Sequence, residues 1–389
     1  MKRIGIYGGT FDPPHVGHMQ AAQYAYQALK LDTLLMMPAC QSPHKETVSP
    51  PEQRLDMLRL AVDGLDGIEA CDLEIRRGGT SYTWQTVAQL REMYPDAELI
   101  LCMGSDKFHG LQNWKNADKI LQMASLAVLF RGHKEEAERI ADWKKELEVQ
   151  GATVYILDNP VTMVSSTDLR RLACFGCIGE LLPDGVGSYI RENCLYGCGA
   201  DLKNLPMERL EEIVVKLLKP NRVAHVLGCR QTSVELARRW GADETDAARA
   251  ALLHDITKAL DGPLQLTLCR AYGSILSDFS RKNPKTLHAL TGALVAEHIF
   301  GENEAVVSAI ASHTTGKANM NTLEKIIYVA DYMEPNRDFP GVELLRHYAD
   351  TDLDMALQTG LEMTLALLKE QGKEISLESQ QALDWIKKG

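Results

Sequence analysis

Tyr7-Gly8-Gly9-Thr10-Phe11-Asp12-Pro13-Pro14-His15-Val16-Gly17-His18 directly follows the first apolar run of this chain and precedes an amphipathic stretch. The order predicts a strand, a glycine turn and the start of a helix, and the Gly-Gly pair lets the backbone approach a ligand closely. A helix N-terminus offers unpaired N–H groups and the positive end of a dipole, so phosphate is the natural ligand there. His15 and His18 can donate to a phosphate that gains charge as it reacts. The segment therefore predicts a nucleotide site that carries nucleotidyl transfer.

Short apolar runs alternate with amphipathic stretches through the first half of the chain. We predict strands at Arg3–Tyr7, Thr33–Met37, Ile68–Cys71, Glu98–Met103, Leu126–Phe130 and Thr153–Leu157. Helices are predicted between them at Met19–Leu29, Pro51–Leu65, Thr83–Tyr94, Lys115–Met123 and Glu135–Val149. This alternation is typical of a doubly wound parallel sheet, a Rossmann-like α/β fold. Ligands bind beyond the carboxyl ends of such strands, which is where the quoted segment leaves the first one.

The second half of the chain changes character near residues 197–205, where Gly197, Gly199 and Pro206 interrupt the pattern. Beyond them only helical periodicity is found, with helices predicted at Glu208–Leu218, Arg222–Trp240, Thr245–Leu260, Lys285–Phe300, Glu304–Ser312 and Leu323–Tyr332. We therefore predict two domains, an α/β domain at residues 1–197 and an all-α domain at residues 198–389.

Composition excludes several classes of protein. The chain has 389 residues and a net charge of -11 spread over both halves, which argues against a nucleic-acid partner. No apolar stretch is long enough to span a bilayer, and Met1-Lys2-Arg3 leads straight into a strand pattern without a secretory signal. We therefore expect a cytoplasmic protein that acts on small anionic substrates and has no membrane partner.

The number and distribution of the cysteines are also typical of a cytoplasmic protein. Their number, nine, is odd, and they are scattered, which suits a reducing environment better than a disulfide framework. Cys174-x-x-Cys177 and Cys194-x-x-x-Cys198 come near zinc-ribbon spacing. We interpret Cys174 and Cys194 as small apolar side chains on helical patterns, and no zinc is predicted there.

Three further polar segments follow predicted strands. Ser165-Ser166-Thr167-Asp168-Leu169-Arg170 follows the last strand and offers hydroxyls, free N–H groups and a guanidinium for a triphosphate. Lys45 follows the second strand and can bind phosphate. Gly104-Ser105-Asp106 follows the fourth, where a carboxylate can hold ribose or assist Mg²⁺. Each alone could be a helix cap, but together they indicate one site.

These segments resemble the HxGH nucleotidyltransferase superfamily and, within it, bacterial nicotinate-nucleotide adenylyltransferases, over roughly residues 1–197. The resemblance implies attack by the phosphate of nicotinate mononucleotide on the α-phosphorus of ATP, with Mg²⁺ offsetting the triphosphate charge. It implies that His15 and His18 stabilise the reacting phosphate, with Lys45 and Arg170 as further catalytic groups. It implies ATP contacts from Gly8, Gly9, Thr10, Phe11, Gly104, Asp106, Ser165, Ser166 and Thr167, and acceptor contacts from Tyr82, Thr83, Trp114 and Arg131.

Two departures from that family bear on the acceptor. Gln85 stands where members usually carry an acidic residue, and Gly132-His133 replaces the Pro-Gly pair that usually follows the basic residue at Arg131. Nicotinamide mononucleotide or phosphopantetheine therefore stays open as an alternative acceptor.

The helical half carries a second set of chemistry-bearing residues: His225, His254-Asp255, His288, His313 and Asp331. Imidazoles with carboxylates suit Fe, Mn, Zn or Co, and an aspartate can bridge two metals that together activate water and clamp a phosphate. Lys258 lies one helical turn from Asp255 and can neutralise phosphate. A lone core histidine is usually structural, but six potential ligands predict a metal site.

The order of these residues resembles HD-domain metal phosphohydrolases. His254-Asp255-Ile256-Thr257-Lys258, His313-Thr314-Thr315-Gly316 and Ala330-Asp331-Tyr332-Met333-Glu334-Pro335 with Arg337 look like the bacterial YqeK-type hydrolases, which split diadenosine tetraphosphate symmetrically into two ADP. The resemblance implies two divalent metals, with iron preferred, and substrate contact by Arg337. One metal would be held by His225, His254, Asp255 and Asp331, and the other by His288, His313 and the bridging Asp255. His298, Cys229 and Cys269 lie outside this ligand set.

Alternatives remain for the second half. HD sites share their metals across substrates, so hydrolysis of another nucleotide phosphate stays open. A nucleotide sensor that regulates the transferase is a further alternative, although an intact ligand set with Lys258 favours an enzyme. The sequence leaves homo-oligomerisation undecided.

Overall fold

The chain folds as two compact units, Met1–Gly199 and Ala200–Gly389. A computed structural model describes residues 1–130, 134–162 and 164–388. The predicted domain boundary lies two residues before the observed division between the units.

The first unit is built on six parallel strands in the order β3-β2-β1-β4-β5-β6. They are β1 (Arg3–Gly9), β2 (Thr33–Pro38), β3 (Ile68–Ala70), β4 (Glu98–Gly104), β5 (Ser125–Leu129) and β6 (Val154–Leu157). The helices of this unit are α1 (Val16–Ala28), α2 (Pro51–Val62), α3 (Leu73–Arg77), α4 (Thr83–Met93), α5 (Ser105–Phe108), α6 (Ala117–Met123), α7 (Lys134–Val149), α8 (Ser166–Cys174) and α9 (Val186–Glu192). The Rossmann-like sheet predicted from the sequence is confirmed.

Helices cover both faces of this sheet, because successive residues of the central strands point to opposite sides and both sets are buried. Ile4 and Ile6 lie in one apolar cluster with Leu99 and Leu101 of the neighbouring β4. Leu34 on β2 is also fully buried, although it lies outside that cluster. The strand order reverses direction between β1 and β4, and a doubly wound sheet opens its ligand crevice at such a point.

The second unit is helical. Its helices are α10 (Met207–Leu217), α11 (Pro220–Trp240), α12 (Glu244–Leu253), α13 (Gly262–Ala271), α14 (Asp278–Lys282), α15 (Leu287–Val295), α16 (Glu304–Ser312), α17 (Thr322–Met333), α18 (Val342–Thr351), α19 (Leu353–Glu370) and α20 (Leu377–Ile386). Apolar residues of α11, α12, α15, α16 and α17 form its centre. No helix in the described part of the chain is both long and apolar enough for a bilayer span.

Two predicted helices are interrupted in the structure. The helix predicted at Thr245–Leu260 ends at Leu253, and residues 254–259 form tight turns. The helix predicted at Lys285–Phe300 consists of α15 between a 3₁₀ turn at Pro284–Thr286 and a π-helical turn at Ala296–Phe300. Such irregular turns are frequent at functional sites, and here they border His254, Asp255 and His288.

The cysteine interpretation was right for Cys174 and wrong for Cys194. Cys174 ends α8 and is partly buried, and desolvation raises the pKa of its thiol to about 11. Cys194 is exposed and has a φ of 49°, so it does not lie on a helix. Among the described residues, clusters with metal-ligand geometry occur only in the second unit.

Candidate active sites

His15 and His18 lie together where β1 gives way to α1. His15 is the N-cap residue of α1, and its Nδ1 accepts from the His18 backbone N–H at 3.3 Å. The two imidazoles stack with centroids 3.6 Å apart, and the edge of the Phe11 ring packs on His18 at 5.0 Å. This packing fixes both rings at the N-terminus of α1, where the helix dipole favours an anion.

The glycines of this segment have different roles. A Cβ at Gly9 would lie 2.9 Å from the Phe11 ring, and one at Gly17 would lie 3.2 Å from Nδ1 of His15. A side chain at Gly9 would therefore displace the Phe11 ring, and one at Gly17 would press on the His15 ring. A Cβ at Gly8 would meet nothing within 4 Å, so the space beside the end of β1 is open.

The start of α8 is docked on the loop that leads to His15. Ser165 caps α8 by accepting from the Asp168 N–H, and the Ser166 hydroxyl donates to the Pro13 carbonyl at 2.9 Å. The Arg170 guanidinium donates to the Asp12 carbonyl at 2.7 Å and to the Thr167 hydroxyl at 3.2 Å. These bonds bring the predicted triphosphate-binding residues to the histidine segment.

Three of the other predicted residues lie at or after the ends of the strands that flank β1. Lys45 is exposed in the loop between β2 and α2. Gly104 ends β4, and Asp106 lies in the first turn of α5. Since β2 and β4 both pair with β1 in parallel, these three strands end on the same edge of the sheet.

The predicted acceptor residues also cluster in part. Tyr82 precedes α4, which begins at Thr83, and the Lys115 ammonium lies 4.4 Å from the centre of the Tyr82 ring. Trp114 adjoins Lys115 and packs, half-buried, against the apolar cluster of the sheet. The structure therefore places Tyr82 beside the Trp114 segment. Arg131 lies outside the described residues.

The sequence did not reveal a buried cation that lies beside the histidine segment. Arg54 on α2 has none of its surface exposed, and its guanidinium donates to four backbone carbonyls. No pattern in the sequence distinguishes this residue from the exposed cations of an amphipathic helix.

The six predicted ligands of the second unit converge on one centre. They come from α11, the turns after α12, the start of α15, the end of α16 and the last turns of α17: His225, His254, Asp255, His288, His313 and Asp331. Five of the six are buried, and 18% of the Asp331 side chain remains accessible.

The four imidazoles present their Nε2 atoms to this centre. Nδ1 of His254, His288 and His313 lies 2.7–2.8 Å from the carbonyl oxygen three residues earlier, and Nδ1 of His225 lies 3.1 Å from Glu334 Oε1. Carbonyls and carboxylates only accept, so Nδ1 carries the proton in each neutral ring and the Nε2 lone pair faces inward. Lone pairs that face carboxylates in this way suit a bound cation, and the Lys258 ammonium lies 2.9 Å from Nε2 of His288.

Distances divide the ligand atoms into two groups that share Asp255. The first group consists of His225 Nε2, His254 Nε2, Asp331 Oδ1 and Asp255 Oδ2. Five of the pairs among these atoms are 3.1–3.8 Å apart. His288 Nε2 and His313 Nε2 lie 3.5 and 3.9 Å from the other oxygen of Asp255. Atoms bound about 2.1 Å from a common divalent ion lie about 3.0–3.5 Å apart, so the first group fits an ion with little adjustment. Asp255 Oδ1 is buried and accepts no hydrogen bond, which also fits a ligand atom.

Three cationic side chains surround the carboxylates. The Arg222 guanidinium contacts Asp255 Oδ2, Lys258 Nζ lies 3.3 Å from Asp255 Oδ1, and Arg337 donates to Asp331 Oδ1 at 2.9 Å. Lys258 and Arg337 thus lie where the sequence predicted them. Arg222 was missed, although it precedes His225 by three residues on α11, a spacing that places two side chains on one helix face.

Glu334 belongs to the motif at residues 330–335, but the sequence predicted no role for it. Its Oε1 bonds His225, and its Oε2 accepts from the backbone and side-chain nitrogens of Asn336. Gly228 on α11 makes room for it, because a Cβ at that glycine would overlap Oε2.

Burial sets the protonation of the centre. It lowers the pKa of His254 and His288 well below the ordinary histidine value and that of His313 to about 4. Burial opposes ionisation of Asp331, but the hydrogen bond with His225 and the nearby imidazoles and Arg337 outweigh it, so its pKa is well below the usual value. Desolvation of the ammonium lowers the pKa of Lys258 to about 8. Neutral imidazoles beside an ionised carboxylate are the forms that bind metal.

Cys229 and Cys269, which were predicted to lie outside the ligand set, differ in their distance from the centre. Cys269 is buried away from the centre, as predicted. Cys229 is also buried, but its Sγ lies 3.6 Å from His225 Nε2 and belongs to a cluster with metal-ligand geometry. Burial raises the pKa of the Cys229 thiol well above its usual value, which disfavours the thiolate that a metal needs. His298 stacks on Tyr272 in the π-helical turn.

Comparison with known proteins assigns each unit to a different group. A cytidylyltransferase-like family model matches residues 6–172, and an HD domain model matches residues 222–336. A probable nicotinate-nucleotide adenylyltransferase of Gemmatimonas aurantiaca is 39% identical over 197 residues, which are 50% of this chain and 92% of that protein.

Another relative resembles almost the whole chain. It is a Mycoplasma pneumoniae protein described as a probable nicotinate-nucleotide adenylyltransferase/Ap4A hydrolase, 29% identical over 94% of this chain and 99% of its own length. Among solved structures, a predicted HD superfamily hydrolase involved in NAD metabolism from Clostridium acetobutylicum is 35% identical, with a TM-score of 0.46, over 47% of this chain and 98% of that one.

Proposed function

We propose that this chain, which belongs to the nicotinate-nucleotide adenylyltransferase family through its first half and carries an HD domain in its second, is a bifunctional enzyme of adenosine phosphates. The first unit transfers AMP from ATP to nicotinate mononucleotide and releases pyrophosphate. The second hydrolyses diadenosine tetraphosphate to two ADP at a centre of two divalent metals. The convergence of four inward-facing imidazole Nε2 atoms on Asp255 and Asp331 is the observation that carries the hydrolase proposal.

In the transferase reaction a phosphate oxygen of the acceptor attacks the α-phosphorus of ATP. The bond from that phosphorus to the oxygen bridging it to the β-phosphorus breaks, and pyrophosphate leaves. The side chains of His15 and His18 donate to the oxygens that gain charge, and the dipole at the start of α1 favours that charge. Lys45, Arg170 and the start of α8 hold the leaving phosphates. Mg²⁺ bound with ATP would offset the charge of the triphosphate.

The remaining residues of the first unit orient the two substrates. Tyr82, Thr83 and Trp114 flank the acceptor ring, and Arg131 is assigned to acceptor binding from its place in the sequence alone. Asp106 in the first turn of α5 holds ribose. Holding both reactants in one geometry removes much of the entropic barrier to their reaction.

In the hydrolase, His225, His254, Asp331 and Asp255 Oδ2 would hold one metal, while His288, His313 and Asp255 Oδ1 would hold the other. Divalent ions there, with iron preferred, would supply a nucleophile from water and offset phosphate charge. Lys258 contacts Asp255 and Arg337 contacts Asp331, and both cations are placed to hold the polyphosphate. With a pKa of about 8, Lys258 is mostly protonated at pH 7.

The test uses the full chain, stripped with a chelator and reloaded anaerobically with Fe²⁺. Wild type should give two ADP from diadenosine tetraphosphate, and Asp255→Ala should abolish this reaction while leaving adenylyl transfer intact. His15→Ala should do the reverse. ATP plus AMP as products would contradict symmetrical hydrolysis, and Asp255→Ala that alters only transferase kinetics would support a sensor instead.

Acceptor specificity is tested separately. Nicotinate mononucleotide, nicotinamide mononucleotide and phosphopantetheine compete for ATP in one reaction mixture. We expect deamido-NAD as the dominant product, and preference for either other acceptor would overturn the assignment.

A further inference from the structure

Asp12 joins three separate parts of the first unit. Its Oδ1 accepts from the Tyr196 hydroxyl at 2.7 Å, and its Oδ2 accepts from the backbone N–H of Val48 at 2.7 Å and of Ser49 at 3.4 Å. Only 2% of Asp12 is exposed, and it lies three residues before His15. One buried carboxylate thus connects the histidine segment to the end of the Lys45 loop and to Tyr196.

Arg54 completes this arrangement from the opposite side. Its guanidinium donates to Thr10 O at 2.8 Å in the histidine segment, and to Ala39 O at 2.6 Å and Ser49 O at 3.1 Å at the two ends of the Lys45 loop. Burial lowers the pKa of Arg54, and the charge of Asp12 is the largest effect that opposes this. The loop of residues 39–50 is therefore tied at both ends to the segment that carries His15.

Tyr196 occupies a backbone conformation that a tyrosine rarely adopts. It lies in a turn at Leu195–Gly197 with a φ of 56°. A residue other than glycine in this region costs on the order of 1 kcal/mol, so other contacts must maintain it. The hydrogen bond to Asp12 is such a contact, and it places the end of the first unit on the histidine segment.

We propose that Asp12, Arg54 and Tyr196 form a positioning network that holds Lys45 and His15 in the relative geometry adenylyl transfer requires. This inference rests on the proposed transferase function. The network acts through the loop: Asp12 and Arg54 fix its ends, and Tyr196 fixes the orientation of the Asp12 carboxylate. If the loop loosens, Lys45 no longer meets the leaving phosphates at the distance that the reacting geometry needs.

Tyr196→Phe in the full chain tests this idea, because it removes one hydroxyl and leaves the ring. Tyr189→Phe is the matched control, since its hydroxyl donates to Asp56 Oδ2 at 3.3 Å, away from the histidine segment. We expect kcat of adenylyl transfer to fall about tenfold in Tyr196→Phe and less than about twofold in Tyr189→Phe, with hydrolase activity unchanged in both.

A double-mutant cycle with Lys45→Ala separates positioning from general destabilisation. If Tyr196 acts through Lys45, the Tyr196→Phe effect should shrink to within about twofold in the Lys45→Ala background. An undiminished tenfold effect there, or no effect in the wild-type background, would overturn the proposal.

Trypsin cleavage after Lys45 provides a readout that does not depend on the reaction. Between Lys30 and Arg54 the chain has no other trypsin site, so one fragment pair reports the loop. We expect several-fold faster cleavage in Tyr196→Phe than in Tyr189→Phe, and equal rates would refute the network. A wild-type chain without transferase activity would refute the proposed function while leaving this measurement valid.

Discussion

Glu334→Gln should weaken metal binding by the second unit without removing any metal ligand. Glu334 is 1% exposed, and its two oxygens face donors on both sides, His225 Nδ1 at 3.1 Å and the Asn336 nitrogens at 2.7 and 2.8 Å. A glutamine keeps the shape but has one oxygen, so either orientation of its amide places N–H groups against a donor. It also removes the negative charge that makes His225 a stronger ligand.

The expected effect is a metal affinity about 10–100-fold lower, which is the usual result of losing such a partner of a ligating histidine. This equals about 1.4–2.7 kcal/mol of binding free energy. The affinity of chelator-stripped full chain for Co²⁺ or Zn²⁺ is measured by competition with a chromophoric chelator. Urea unfolding of the metal-free protein measures the accompanying change in stability.

Glu324→Gln is the matched control. Glu324 is 2% exposed in the first turn of the same helix, α17, and pairs with Lys317 at 2.6 Å without touching an imidazole. This variant should lose stability but keep its metal affinity within about threefold. Wild-type affinity in Glu334→Gln, or equal losses of affinity in both variants, would refute the reasoning.

Three further predictions follow from other contacts. Arg222→Met should raise metal affinity at least about threefold, because a metal no longer has to displace the guanidinium from Asp255; unchanged affinity in the same competition assay would contradict this. Metal-free protein should lose stability as the pH falls from 6.5 to 4, because the unfolded chain binds protons that His313, with a pKa of about 4, does not. Urea unfolding at several pH values should show a loss of about 1.4 kcal/mol per pH unit from this group, and His313→Gln should flatten the slope. Gly17→Ala should reduce transferase kcat about threefold to tenfold, because the new Cβ would lie 3.2 Å from the His15 ring and press on it. The melting temperature should stay constant or rise, because alanine favours the helix. An unchanged kcat would show that the stacked pair tolerates displacement.

The sequence alone predicted the two folds and the candidate residues of both sites. Alternating apolar runs and amphipathic stretches are local properties, and they were sufficient for six parallel strands and a helical second half. His15 and His18 are close in sequence, so their meeting at a helix start followed from spacing alone. The histidines and aspartates of the second unit were recognised by their order along the chain.

The tertiary structure determined which hydrogen bonds hold these residues in place. The tautomers of the four imidazoles depend on which carbonyl or carboxylate each Nδ1 meets, and Glu334 reaches His225 across 109 positions of the chain. Asp12 and Tyr196 are 184 positions apart, and Arg54 appears in the sequence as one more cation on an amphipathic helix. Neither propensity nor periodicity encodes such contacts, because they arise only when packing brings distant segments together and buried polar groups must find partners. The sequence therefore specified the candidate reactive groups, while packing determined how they are held.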